Sequence, residues 1–87
     1  MTTFWGKLIK GDKILKSETC DSDRTDMADA LLHCIEHFAR VFDIEAPMWH
    51  SAHTKQMGIF KKATFRPDDF IDSVDFDRFE IQIIEKK

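Results

Sequence analysis

Apolar residues recur at Met27, Leu31, Cys34, Ile35, Phe38 and Phe42, in steps of four, three, one, three and four. That spacing marks one face of an α-helix and predicts an amphipathic helix over residues 27–42. Both ends of the chain follow a two-residue period instead. In residues 3–19, TFWGKLIKGDKILKSET, Gly11-Asp12 separates two apolar-rich arms. This reads as a β-hairpin with a two-residue turn, where Gly supplies the positive φ. The expected register sets Ile9 against Ile14, Leu8 against Leu15, Lys7 against Lys16 and Lys10 against Lys13. Phe4, Leu8 and Leu15 would share one face, and Trp5, Ile9 and Ile14 the other. In residues 76–85, FDRFEIQIIE, Phe79, Ile81 and Ile83 alternate with Arg78, Glu80 and Gln82. That is a strand with one buried face, and Ile84 breaks its alternation. Directly opposed like charges destabilise a sheet. A carboxylate from a third strand would relieve Lys7 and Lys16, and Glu80 is placed to do so. The C-terminal strand is therefore expected beside the hairpin.

Between these elements, residues 20–25 (CDSDRT) form a polar connection in which Ser22, Asp23 or Thr25 could cap the helix. Asp26 and Asp29 complement the positive end of its dipole. Pro47 interrupts the pattern that follows. Residues 51–62 read as a short second helix anchored by Trp49, Met57 and Phe60, or as an irregular segment; Gly58 weakens the helix. Residues 63–66 suit a short strand, and Pro67 to Phe70 a turn or a single helical turn.

The fold class is α+β: an N-terminal β-hairpin, one long amphipathic helix, a short second helix or loop, and C-terminal strand(s). A mainly antiparallel sheet carries the helix on one face, in a single domain spanning residues 1–87. The expected core is Phe4, Leu8, Leu15, Leu31, Ile35, Phe38, Phe42, Phe79, Ile81 and Ile83.

Length sharpens this picture. With 87 residues, a chain buries roughly 60–65% of its unfolded surface, enough for one thin core. Little remains to wall off a deep pocket, so an enzyme is not expected. Charge alternates in blocks. Residues 1–16 carry four Lys and one Asp; residues 17–45 carry eight acids and two Arg; residues 46–66 carry three Lys and one Arg; residues 67–87 carry seven acids and three bases. The net charge of −3 gives no strong field for nucleic acid or anionic lipid. No apolar run approaches the ~20 residues of a membrane span. Lys7, Lys10 and Asp12 interrupt the region where a signal peptide would be apolar, so a cytoplasmic protein is expected. Cys20 and Cys34 are too few for a disulfide framework, and Cys34 falls on the apolar helix face.

Several constellations carry chemical suggestions. His33-Cys34-Ile35-Glu36-His37 spells H-x-x-E-H, which sets two imidazoles one helical turn apart with a carboxylate to activate water and Asp29 to orient His33. The protease family that uses this signature needs a larger domain and a further acidic ligand downstream. Here His33, Glu36, His37 and Arg40 read as a solvated helix face. His50 and His53 add an H-x-x-H pair, and a histidine-based metal site would require His33, His37, His50 and His53 to converge. Asp68, Asp69, Asp72, Asp75 and Asp77, with Glu80, lack the spacing and glycine of a calcium loop. Lys55, Lys61, Lys62 and Arg66 alternate with Phe60 and Phe65, a composition that can bind single-stranded nucleic acid. The acidic balance opposes this, and the core needs the phenylalanines. No residue is assigned a catalytic, cofactor or metal role, and no cofactor is expected.

The segment Phe4-Trp5-Gly6-Lys7-Leu8-Ile9-Lys10 and the stretch from Phe65 through Asp69-Phe70-Ile71-Asp72-Ser73-Val74-Asp75-Phe76-Asp77 to Phe79-Glu80-Ile81-Gln82 resemble a group of small uncharacterised bacterial proteins of similar length. The resemblance implies a stand-alone cytosolic protein and assigns no functional residues. The functional expectation is a small non-enzymatic interaction or accessory protein. It would bind another protein, or itself, through the hairpin face formed by Trp5, Ile9 and Ile14. The alternatives are a nucleic-acid-binding or regulatory module using the Lys55–Arg66 segment, and the histidine-based metal protein.

Overall fold

The computed structural model describes residues 1–86. Four strands and two helices follow in the order β1 (Thr2–Lys10), β2 (Lys13–Ser22), α1 (Met27–Phe42), α2 (Ser51–Phe60), β3 (Lys62–Phe65) and β4 (Arg78–Lys86), with a 3-10 turn at Pro67–Asp69. The strands form one antiparallel sheet in the order β2-β1-β4-β3. The class is α+β with an N-terminal hairpin, as the alternation at the two ends implies. β1 and β4 are the two inner strands and pair with each other. Lys7 faces Glu80 across that pair, with the ammonium 3.4 Å from the carboxylate.

The hairpin register differs from expectation. Ile9 pairs with Ile14 and Lys10 with Lys13, but Leu8 pairs with Lys16 and Lys7 with Ser17. Leu15 is the extra residue of a bulge and is exposed, not buried. The slip removes the like-charge pair. It also lets the Lys16 ammonium donate to the Phe42 carbonyl at 2.9 Å, where a cation opposes the negative end of the α1 dipole. A tertiary contact thus accompanies a register that alternation alone does not specify. A second bulge accommodates Ile84, since Phe4 pairs with Ile83 and Thr3 with Glu85. Gly11 sits at φ +59° in the turn, and its N–H donates to the Asp77 carboxylate.

α1 occupies the residues its periodicity predicts. Its N-cap is Asp26, not Ser22, Asp23 or Thr25; the Asp26 side chain accepts from the Ala28 N–H. At the other end Asp43 turns to φ +58°, and the Ile44 N–H reaches back to the Ala39 carbonyl. This closing loop satisfies carbonyls that the helix leaves free. Ala30, Leu31, Cys34, Ile35, Phe38 and Phe42 share one core with Phe4 and Leu8 of β1, Ala63 and Phe65 of β3, and Phe79 and Ile81 of β4. The Phe38 and Phe42 rings each meet Phe79 edge-on, with centroids 6.3 and 6.0 Å away. A Cβ on Gly6 would lie 2.8 Å from the Phe38 ring, so the missing side chain there is what admits the ring. Cys20 of β2, Met57 of α2, and Phe70 and Phe76 from the connection before β4 belong to the same cluster. Ile83 is only partly buried at its margin.

α2 is built differently. Of its ten residues only His53 and Met57 are buried, and Phe60, expected as an anchor, is 64% exposed. The Gln56 side chain accepts the Thr64 N–H of β3 at 2.9 Å. That bond covers part of a sheet edge that would otherwise be free to recruit another strand.

Candidate functional site

A groove of about 820 Å³ opens between the N-terminal half of α1, α2 and the end of β4. Its walls come from Met27, Leu31 and Leu32 of α1, Met57 of α2, Ile83 and Ile84 of β4, and Trp49 ahead of α2. Among the described residues, Lys61 contributes the single charged side chain and Thr54 a hydroxyl. Leu32 and Ile84 are about half exposed, so the groove opens to solvent along apolar edges. Two methionines make part of its lining adaptable, because the unbranched thioether repacks easily. The position of Ile84 follows from the β4 bulge. Lys61 sits at φ +59°, where its N–H closes α2 on the Met57 carbonyl. Its own carbonyl accepts the Ile83 N–H, which ties the α2 end to β4.

A polar clasp joins the start of α2 to the 3-10 turn at Pro67–Asp69. The Nε2 atoms of His50 and His53 lie 3.2 and 3.4 Å from the two oxygens of Asp69. His53 Nδ1 accepts the His50 N–H, so its ring proton resides on Nε2 and points at Asp69. The Arg66 N–H also donates to Asp69, and the Met48 N–H donates to the Asp69 carbonyl. The buried His53 ring lies 4.2 Å from Phe65 and 5.4 Å from Trp49, and Trp49 donates its indole N–H to Thr54. This histidine pair is committed to orienting α2.

The remaining histidines go elsewhere. His37 packs edge-on against Phe38. His33 is exposed on α1 and joins Cys20 and Cys34 in a cluster whose donor atoms all lie within 4.8 Å of one another. Among the described residues this is the one grouping of three potential metal ligands; His33, His37, His50 and His53 form no common site. Cys20 and Cys34 are buried, with their sulfurs 2.8 Å apart. Burial pushes both thiols above their ordinary range, and the Asp21 carboxylate adds to the shift. Cys34 was foreseeable as a core residue. Cys20 is not expected in the core, because residues 20–25 read as a polar connection, whereas β2 runs on to Ser22.

The basic segment is split by the fold. Phe65 is fully buried, while Phe60 is exposed beside Lys62, Thr64 and Arg66 in a shallow cleft of about 540 Å³. The hairpin residues Trp5, Ile9 and Ile14 differ in burial: Ile9 is buried, Trp5 half-buried and Ile14 exposed. The Lys7 ammonium lies 4.0 Å from the centre of the Trp5 ring. Glu80 holds Lys7 and Arg78 together. Burial acts to raise the Glu80 pKa, but the Arg78 hydrogen bond and the Lys7 and Lys62 charges outweigh it and leave it below the ordinary value. Asp68, Asp69, Asp72, Asp75 and Asp77 gather around no common point: Asp69 serves the clasp and Asp77 the hairpin turn.

Among the described residues, no helix is long and apolar enough to cross a membrane. The chain matches no protein-family model, no curated protein and no solved structure.

Proposed function

We propose that this protein is a small non-enzymatic interaction module whose groove between α1, α2 and β4 receives an apolar segment of a protein partner. The observation that carries the reading is the groove itself: about 820 Å³ of concave, nearly uncharged surface on a chain of 87 residues. In this reading α1 closes one face of the sheet. The groove is then the stretch of core surface that neither helix covers. Its open side favours an apolar chain segment over a small molecule, because tight small-molecule sites enclose most of their ligand. An amphipathic helix fits such a trough through side chains three and four residues apart. Lys61 would then meet an acidic residue at the margin of that segment. The hairpin face is the weaker candidate for docking, since Ile9 is buried and Lys7 covers Trp5.

Capture of proteins from an extract of its own cells tests the reading if compared across variants. Leu32→Asp and Ile84→Asp place charges on half-exposed groove edges, and Ile71→Asp does so at an 80% exposed position outside the groove. At least one captured protein should fall about tenfold or more with both groove variants and remain with Ile71→Asp. A capture profile identical across all variants would overturn the proposal.

A second reading rests on Phe60. Its ring, exposed beside Lys62 and Arg66, offers a stacking platform with cationic neighbours, as single-stranded nucleic acid binders use. Anisotropy of a labelled single-stranded oligonucleotide should then rise on titration, less so at higher salt and less so for Phe60→Ala. A flat titration at low salt would dismiss it.

A further inference from the structure

We propose that Cys20, Cys34 and His33 form a binding site for a thiophilic cation of the Zn²⁺ class. Two elements bring the donors together. Cys34 reaches the core side of α1, Cys20 comes from the inward face of β2, and the sulfurs stand 2.8 Å apart. His33 precedes Cys34 on the helix, so its side chain leaves about 100° around the axis. It therefore approaches the pair from the solvent side, and all three donor atoms lie within 4.8 Å of one another.

The donor set selects the ion. Two sulfurs and an imidazole suit zinc and its thiophilic neighbours, whereas calcium and magnesium require oxygen ligands. Loading converts two thiols into thiolates and releases two protons to solvent. The divalent charge is then balanced by two thiolates, and a neutral complex is the least costly state to bury beside the core. Zinc bonds of about 2.3 Å at tetrahedral angles hold two sulfurs about 3.8 Å apart. The pair must therefore open by about 1 Å, a displacement that χ1 rotation can supply. A disulfide would instead close the gap to about 2.05 Å and use two of the three groups. The imidazole is what separates the two outcomes: a cation recruits it, and a sulfur–sulfur bond does not. Three protein donors leave a fourth position, on the side where His33 is exposed, for water or a ligand from another molecule.

Cobalt substitution reads this site directly, because thiolate-to-cobalt charge transfer reports sulfur ligation. The full chain, reduced and freed of metal, is titrated with Co²⁺ and then with Zn²⁺. One equivalent of Co²⁺ should develop the charge-transfer band, and Zn²⁺ should bleach it. Cys20→Ser and Cys34→Ala should abolish the band. His33→Gln alters an exposed position that leaves the core intact, so it keeps the test informative even if a cysteine variant fails to fold. It should weaken Co²⁺ affinity at least about tenfold and remove most of the rise in melting temperature that Zn²⁺ produces in the parent protein. Absence of a charge-transfer band in the reduced protein, or a band and affinity unchanged in His33→Gln, would overturn the proposal. So would a Cys20–Cys34 disulfide in protein isolated without reductant, combined with no cobalt uptake after reduction.

Discussion

The two helices are held by different physics. α1 buries seven residues along one stripe, among them Leu31, Ile35, Phe38 and Phe42. It is closed by a carboxylate cap at one end and by the Lys16 ammonium at the other. α2 buries two residues and is tethered by polar contacts: Asp69 to His50 and His53, Gln56 to the β3 backbone, and Trp49 to Thr54. Burial of apolar area is cooperative and indifferent to local sequence order, whereas each polar tether depends on one partner. The groove lies where these two modes of attachment meet. Its lining mixes the two: Leu31 and Met57 belong to the packed core, while Leu32 is half exposed.

The sharpest way to break the α1 side is at Gly6. A methyl there would fall 2.8 Å from the buried Phe38 ring, which has no flexible end to yield. Gly6→Ala should cost about 1–3 kcal/mol, the usual range for overpacking a core. Denaturant unfolding should show a lower midpoint with an unchanged slope. Hydrogen exchange should rise in α1 and the sheet together, because both share that core.

The α2 side should fail locally. Asp69→Ala leaves the Nε2–H of buried His53 without its acceptor and also releases the Arg66 N–H. The expected loss is about 1–2 kcal/mol. Its distribution is the informative quantity: amide exchange should accelerate across residues 48–60 while residues 27–42 stay protected. Equal acceleration in both helices would show that α2 is part of the same cooperative unit and would erase the distinction drawn here.

That contrast also explains what could be read from the residues. α1 was legible to the residue because its stripe is strong and its competing signals are weak. The pairing of β1 with β4 is expected from a Lys7–Lys16 opposition that the register does not contain, although Lys7 does meet Glu80 across that pair. Leu15 lies outside the core because the bulge shifts the hairpin register by one residue, a shift that alternation alone does not specify and that lets Lys16 reach the Phe42 carbonyl. Phe60 is exposed because α2 turns only His53 and Met57 inward, and the sequence of this short helix does not distinguish Met57 from Phe60 as the buried anchor. Cys20 does carry a signal in the strand period. Continuing the β2 alternation puts Cys20 and Ser22 on the inward face, where both are buried. The groove had no such signal, because it is the gap between two elements and not a property of either.

Glu80 offers a smaller and pH-dependent test on the β1–β4 pair, on the sheet face away from the α1 core. Its carboxyl lies below the ordinary value of 4.5 in the folded chain, so the folded state favours the ionised form. Its contribution is therefore complete above about pH 5 and is lost as pH falls through the lowered folded value. Glu80→Gln should reduce stability at neutral pH by about 1.5 kcal/mol and flatten the acid limb of a melting-temperature profile. An acid limb as steep as that of the parent protein would assign the dependence to other carboxylates.

The smallest effect expected is a gain. Both helices end on a residue in the left-handed region, Asp43 at φ +58° after α1 and Lys61 at φ +59° after α2. That conformation crowds a Cβ, and aspartate tolerates it better than lysine because its short polar side chain can bond locally. Lys61→Gly should therefore stabilise the chain by about 0.5–1 kcal/mol, and Asp43→Gly by less. Differential scanning calorimetry of the two variants measures the order. Lys61→Gly also removes the Lys61 charge from the groove lining, so it couples to the proposed docking: a partner that presents an acidic residue should bind this variant more weakly although the fold has gained stability. If melting temperature and partner affinity rise together, Lys61 contributes strain to the α2 wall and no charge to recognition.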